Sequence, residues 1–179
     1  VDTYGKPDEI RIELARELKK CAKEREDMTK AINSANREHE SIRKILQTEF
    51  NLSNPSRNDI VRYKLYMELK DNGFKTLYSN TYIPQERLFS KEFDIEHIIP
   101  KARLLDDSFS NKTLEVHSIN IEKSDATARD YVESKYGQQG LDEYTKKVEN
   151  LFKSKVISKS KRDKLLMCEA DIPSGFIER

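Results

Sequence analysis

Apolar and small residues recur at alternating steps of four and three from Leu14 to Leu46, through Leu18, Cys21, Met28, Ile32, Ala35 and Ile42, with Arg25 and His39 as polar interruptions. That spacing makes one stripe of a helix and is incompatible with the period-two alternation of a strand. It predicts a helix from about 15 to 49, broken at most once, which the turn-rich NLSNPSRND at 51–59 ends. Just before it, IRIEL at 10–14 alternates as a strand does. A second helix fits 58–71, with Asn58 as its cap and Asn72-Gly73 as its stop.

Strand signals are short and confined. FKTLYS, TYIP and FDIEH fall between 74 and 97, bounded by Pro84 and Pro100, and TLEV follows at 113–116. Helical spacing then returns over 119–136, 140–153 and 158–169, separated by Gly137, Gly140 and a serine-lysine stretch. The expected architecture is therefore mainly α with a small two-stranded β island. There is no internal repeat.

Composition narrows the function classes. Charged residues make up 36% of the 179, but 33 basic and 32 acidic side chains leave a net charge of only +1. A nucleic-acid surface would have to come from local lysines rather than a bulk field. Cys21 and Cys168 lie far apart without Cys-x-x-Cys spacing, so a cysteine zinc site is not supported and two free thiols are expected. No apolar run reaches membrane length and no signal peptide is visible, which points to the cytoplasm. Neither end carries a terminus signal, so the chain reads as a piece of something larger.

The island holds the chemistry. Asp94-Ile95-Glu96-His97 puts two carboxylates and an imidazole within four positions, and residues 94 and 96 share one face of a strand. Asn111 and Asn120 follow, on either side of the TLEV strand. A hard divalent cation wants oxygen ligands, which Glu96 and the Asn120 carbonyl supply; magnesium keeps several waters, so two protein ligands suffice. Such a metal stabilises charge on a phosphate and on the leaving 3′ oxygen. The His97 imidazole suits a general base at neutral pH. Asn111 is placed to orient the loop or the imidazole, and Lys123, one turn after Asn120, to contact a scissile phosphate as a point charge. Asp94 is a supporting carboxylate. Each residue alone has an ordinary structural reading; their joint order does not.

That order carries a resemblance. FDIEHIIPKARLLDDSFSNKTLEVHSINIEKSD resembles the HNH motif of type II CRISPR RNA-guided DNA endonucleases, through the acidic-His pair, the apolar-apolar-Pro step, Asp-Asp-Ser, the Asn-Lys pair and the final Asn-x-x-Lys-Ser-Asp. IRIELARE at 10–17 is similar to the second RuvC-like segment of those enzymes, and GFIER at 175–179 to the run that leads into the third. The resemblance implies a ββα-metal core, with His97 as general base, Glu96 and Asn120 as ligands of Mg²⁺ (Mn²⁺ substituting), and Asn111 at a motif position of less settled role. Many members carry Asp where Glu96 stands, and generic HNH proteins often end in His where this chain has Asn120. Glu13 matches an acidic metal ligand of the RuvC-like segment, a site that is incomplete with one carboxylate. His117 matches no motif position and reads as a surface residue at a strand end; His39 reads as structural.

The same resemblance divides the chain into a RuvC-like remnant with linker helix at 1–20, the HNH domain at 21–168, and a linker at 169–179. It implies a bacterial enzyme that cuts the guide-paired strand of target DNA in antiviral defence, with guide RNA and the RuvC-like and recognition lobes as partners. Lys101, Lys112, Lys123, Lys135, Lys146, Lys147, Lys153 and Lys155 are candidates to steer a phosphate backbone, though nearby acids balance many of them. The alternatives are a free-standing HNH nuclease and a non-catalytic helical module that binds nucleic acid or a partner through the 14–46 seam.

Overall fold

The computed structural model describes residues 22–172. The expected strand at 10–14, Glu13, Cys21 and the GFIER run lie outside the described residues. The chain separates into two units at Ser41–Ile42, a junction inside the first helix, α1 (Ala22–Glu49).

In the first unit the helix residues are unbroken, but the expected seam is not covered. Every side chain from 23 to 38 is exposed, with Met28 at 44% and Ile32 at 56%, and His39 is half-buried. Helical spacing fixes which residues share a stripe; it does not supply the surface that buries them.

The second unit holds the core. Ile42 and Leu46 on the last turns of α1 pack with Ile60 of α2 (Arg57–Glu68), and Phe50 stands edge-on to Tyr63 and Phe89 at 5.8 and 5.3 Å. The cap of α2 is Ser56 rather than Asn58: its Oγ accepts from Asp59 N at 3.2 Å, and its own N–H donates to the Asp59 carboxylate at 2.8 Å. This reciprocal pair satisfies two otherwise orphan donors, which a cap at 58 would not.

The island is an antiparallel hairpin of β1 (Phe93–His97) and β2 (Lys112–Val116), with Asp94 opposite Glu115, Glu96 opposite Thr113 and His97 opposite Lys112. Phe93, Leu114, Ile98 and Ile99 are essentially fully buried, so the apolar-apolar step before Pro100 is core. From α2, the Arg62 guanidinium donates to the Phe93 carbonyl at 2.5 Å and fixes where the hairpin starts. FKTLYS and TYIP do not form strands; they meet in a single bridge, Lys75 to Tyr82. Between them the chain turns on its own hydroxyls, Thr76 on Ser79 at 2.8 Å and Thr81 N–H on Thr76 at 3.0 Å, and these compete with a ladder. The buried Glu115 carboxylate accepts from the Tyr78 and Ser79 amides at 3.1 and 3.3 Å and holds that turn against β2.

Helix α3 (His117–Lys123) starts directly at the end of β2, two residues before the predicted start, and stops where Ser124 takes a left-handed φ of 48°. Helix α4 (Ala128–Lys153) follows, capped by Thr127, and α5 (Lys159–Leu165) is capped by Ser158. The glycines expected to separate helices do so as a kink, across which two helical segments join within α4. Gly137 sits at φ 67°, ψ −170°, and a Cβ on Gly140 would lie 2.3 Å from the Tyr136 Cβ. The kink thus needs one glycine for its backbone and one for its close approach. Gly137→Ala should cost about 1–3 kcal/mol through strain alone. Gly140→Ala should cost at least as much, because two backbones must part. Urea denaturation of both variants checks this; a neutral Gly140→Ala would mean the kink is not fixed by that contact.

Candidate active site

The site is built where α3 crosses β1. Asp94 and Glu96 are two apart on a strand and share a face. His117, Asn120 and Lys123 are three apart on a helix and share a stripe. The stripe meets the face in two rungs. On the first, Asn120 Nδ2 donates to Asp94 Oδ2 at 2.9 Å, and His117 Nδ1 meets the same oxygen at 2.7 Å. On the second, Lys123 Nζ lies 2.6 Å from Glu96 Oε1 and donates to the His97 carbonyl at 3.1 Å.

The two carboxylates are in different electrostatic situations. Asp94 is partly exposed; burial pushes its carboxyl up, but the bonds from Asn120 and His117 outweigh this and leave it below the ordinary aspartate value. Glu96 is buried, and burial raises its carboxyl although Lys123 pulls the other way. The Glu96 and Lys123 side chains are only 7% and 1% exposed, so each is the other's main compensation for lost water.

His97 stands at the end of β1, and its ring turns to the loop that joins the strands. Nε2 lies 2.9 Å from Asp107 Oδ1, and the same carboxylate receives Lys101 at 2.7 Å and Lys112 at 3.0 Å. Asn111, fully buried, closes the loop. Its Oδ1 accepts from Ile99 N–H at 2.9 Å, and its Nδ2 donates to the Ile99 and Asp106 carbonyls, both at 2.9 Å. The Lys164 ammonium of α5 bonds Asp106 and reaches Ser110 at 2.8 Å.

Residues 76–129, which carry both rungs, match the family model for HNH endonucleases. Over 108 residues, 59% of the chain, the sequence is 35% identical to the CRISPR-associated endonuclease Cas9 of Staphylococcus aureus; over its whole length it is 27% identical to a Streptococcus thermophilus Cas9. The fold is similar to that of Streptococcus thermophilus Cas9 in its complex with the AGAA PAM, with a TM-score of 0.65 at 22% identity over 93% of the chain. A second structure, with the GGAA PAM, gives 0.61 at 20% identity over 85% of the chain. The chain spans 10% and 17% of the two curated relatives and 16% and 15% of the two solved chains.

Residues 76–129 are an HNH endonuclease match, in a chain similar to the HNH region of Cas9.

Within the HNH domain the site residues named from sequence lie together on β1, α3 and the joining loop, but their pairings differ from expectation. Asn120 donates to Asp94, the carboxylate given a supporting part, while Glu96 faces Lys123. Lys123 is committed inside the protein, to Glu96 and to backbone, and in this arrangement its ammonium meets no solvent-borne phosphate. Asn111 touches loop backbone alone. Sequence reasoning passed over His117, which begins α3 and shares Asp94 with Asn120, and Asp107, whose only signal was its place in Asp-Asp-Ser. Among the described residues no three His, Cys, Asp or Glu side chains cluster as metal ligands. The oxygen donors Asp94, Glu96 and Asn120 nonetheless suit a hard cation that keeps water and substrate oxygens.

Removing Lys123 should leave Glu96 buried without a partner. Lys123→Met is expected to cost about 3 kcal/mol, and adding Glu96→Gln should recover part of that. A double-mutant cycle in urea reads the coupling; additive costs would show that the pair does not hold α3 to β1. A pH dependence follows from the loop. Burial raises Asp106, but Lys164 and Ser108 bring it down to about 2. A depressed acid stabilises the fold above its unfolded value and loses that contribution as pH falls through the folded one. The protection factor of the Ser108 amide, whose N–H bonds Asp106 at 2.8 Å, should therefore fall only as pH drops from about 4 toward 2.

Proposed function

We propose that this domain hydrolyses a phosphodiester bond of DNA with Mg²⁺, Mn²⁺ substituting, and that His97 takes the proton of the attacking water on a ring nitrogen. The observation that carries the reading is the pair of rungs: one short helix sets an amide and a cation on two carboxylates of the strand that ends in His97. Asn120 and the carboxylates of Glu96 and Asp94 would hold the cation. When bound, it supplies charge stabilisation to the phosphate and the leaving 3′ oxygen. The protein's own part is to orient. Asn111 fixes the backbone on both sides of the loop, Lys123 fixes the His97 carbonyl, and His117 holds Asp94 in line with Asn120.

The likeness to Cas9 supports a larger reading of the substrate. The domain works within a longer RNA-guided enzyme of bacterial antiviral defence, in the cytoplasm, with the RuvC-like and recognition lobes as neighbours, and cuts the strand paired to the guide. In that reading residues 21–168 are the HNH domain between a RuvC-like remnant at 1–20 and a linker at 169–179.

His97→Ala should lower Mg²⁺-dependent nicking of supercoiled plasmid by at least about 100-fold without lowering the thermal midpoint. Asn120→Ala should raise the Mn²⁺ concentration needed for half-maximal binding, followed by electron paramagnetic resonance of free Mn²⁺. Equal nicking by wild type and His97→Ala would remove the imidazole from the mechanism.

A further inference from the structure

Asp107 is an exposed carboxylate with too many partners. Its side chain is 62% accessible, yet its two oxygens gather the His97 imidazole, Lys101 and Lys112 at 2.7–3.0 Å. Exposed ion pairs are ordinarily worth little, because water competes for both charges and long side chains lose freedom. Three partners drawn from three places, the end of β1, the turn after Pro100 and the start of β2, therefore converge on one anion rather than make a chance contact. The bonds from Lys101, His97 and Lys112 hold the carboxyl well below the ordinary aspartate value, so it is an anion at any working pH.

Asp107 is also separable from the fold around it. Its neighbour Asp106 is the one that organises the loop, through Lys164 and Ser108, and Asn111 closes the loop independently. Among the described residues no backbone amide donates to the Asp107 side chain, in contrast to the buried Glu115. The position has what a backbone phosphate needs: two ammonium groups, spread on separate elements, beside the imidazole expected to act on a phosphodiester.

We propose that Lys101 and Lys112 form a seat for a DNA backbone phosphate, and that Asp107 occupies this seat in the free domain and is displaced when DNA docks. The proposal rests on the nuclease reading for its choice of DNA. Displacement does two things at once: the lysines exchange one anion for another, and the His97 Nε2 is released beside the bound strand. The domain's near-neutral charge is consistent with this, since no bulk field draws DNA to the site and Asp107 compensates part of the local positive charge in its absence.

The test is DNA binding without divalent metal, so that cutting plays no part. Fluorescence anisotropy of a short labelled duplex in EDTA would be compared for wild type, Asp107→Asn, Lys112→Ala and Asp107→Asn/Lys112→Ala. Asp107→Asn should bind about fivefold more tightly, the equivalent of the exposed pairs that no longer have to be broken. Lys112→Ala should bind more weakly than wild type, and in the double variant most of the gain should vanish. Inorganic phosphate at matched ionic strength should compete poorly, which separates a strand phosphate from a free one; equally strong competition by the free ion overturns the assignment to DNA. Asp107→Asn binding no tighter than wild type, at an unchanged thermal midpoint, overturns the proposal and leaves Asp107 as a positioning residue for His97. If that variant does not fold, the His97 ring resonances of wild type decide: they should shift on duplex titration in EDTA, and their failure to move is equally fatal. Tighter binding by Asp107→Asn together with unimpaired nicking by His97→Ala would sink the nuclease reading alone; the reverse pattern would sink this proposal alone.

Discussion

A carboxylate taken out of water needs a counter-charge within reach, and Glu96 has Lys123. That buried pair joins β1 to α3, which β2 delivers alongside it with no intervening loop. Once Lys123 is fixed on Glu96, the helical repeat leaves little choice for the residues one and two turns earlier. Asn120 arrives at Asp94, and His117 arrives at the same oxygen. Because the Lys123 ammonium also bonds the His97 carbonyl, the backbone at the end of β1 is held from the helix as well as from the ladder. The position of the imidazole thus depends on an ion pair that it does not join.

The pair has a second consequence. The acid next to His97 is neutralised by a lysine, and on its other side the imidazole and two lysines share the Asp107 carboxylate. The domain meets its own charge requirements with its own side chains. A nuclease that binds a cation and a polyanion has to exchange such internal partners for external ones. The two exchanges are unequal in cost: Lys123 is almost wholly buried with Glu96, whereas Asp107 stands mostly in water. Desolvated partners resist exchange and solvated ones permit it. The solvated partner is the one that meets the His97 imidazole.

Much of this was legible in the sequence, for identifiable reasons. The hairpin was readable because FDIEH and TLEV alternate, and the residues of the site because acids, imidazole and amides of the right type cluster around them. The pairings were not readable. Strand parity places 94 and 96 on one face, and helical spacing places 117, 120 and 123 on one stripe, but the offset between face and stripe is set by docking. A shift of one rung would have given Glu96 to Asn120. Lys123 was read as a phosphate contact because nothing in its local sequence shows burial; His117 is the exposed residue it was read as, but its bond to Asp94 was missed because it was counted at the end of a strand rather than at the start of a helix. The exposed stripe at 23–38 failed in the opposite direction: its periodicity is real, and what it packs against is not written in it.

The loop between the strands shows why neighbouring residues of one type can have unlike roles. Asp106 turns inward to the Lys164 ammonium and caps Ser108, and its carbonyl takes a bond from Asn111. Asp107, the next residue, turns outward; its own side chain is mostly in solvent, where it meets the exposed Lys101 and the largely covered His97 and Lys112. A single Asp-Asp step thus provides one carboxylate that builds the loop and another that faces what lies outside it. The building bonds run through Asp106 and Asn111, and none of them uses the Asp107 side chain. In the proposed exchange, a carboxylate beside the expected general base is therefore given up without breaking the bonds that build the loop.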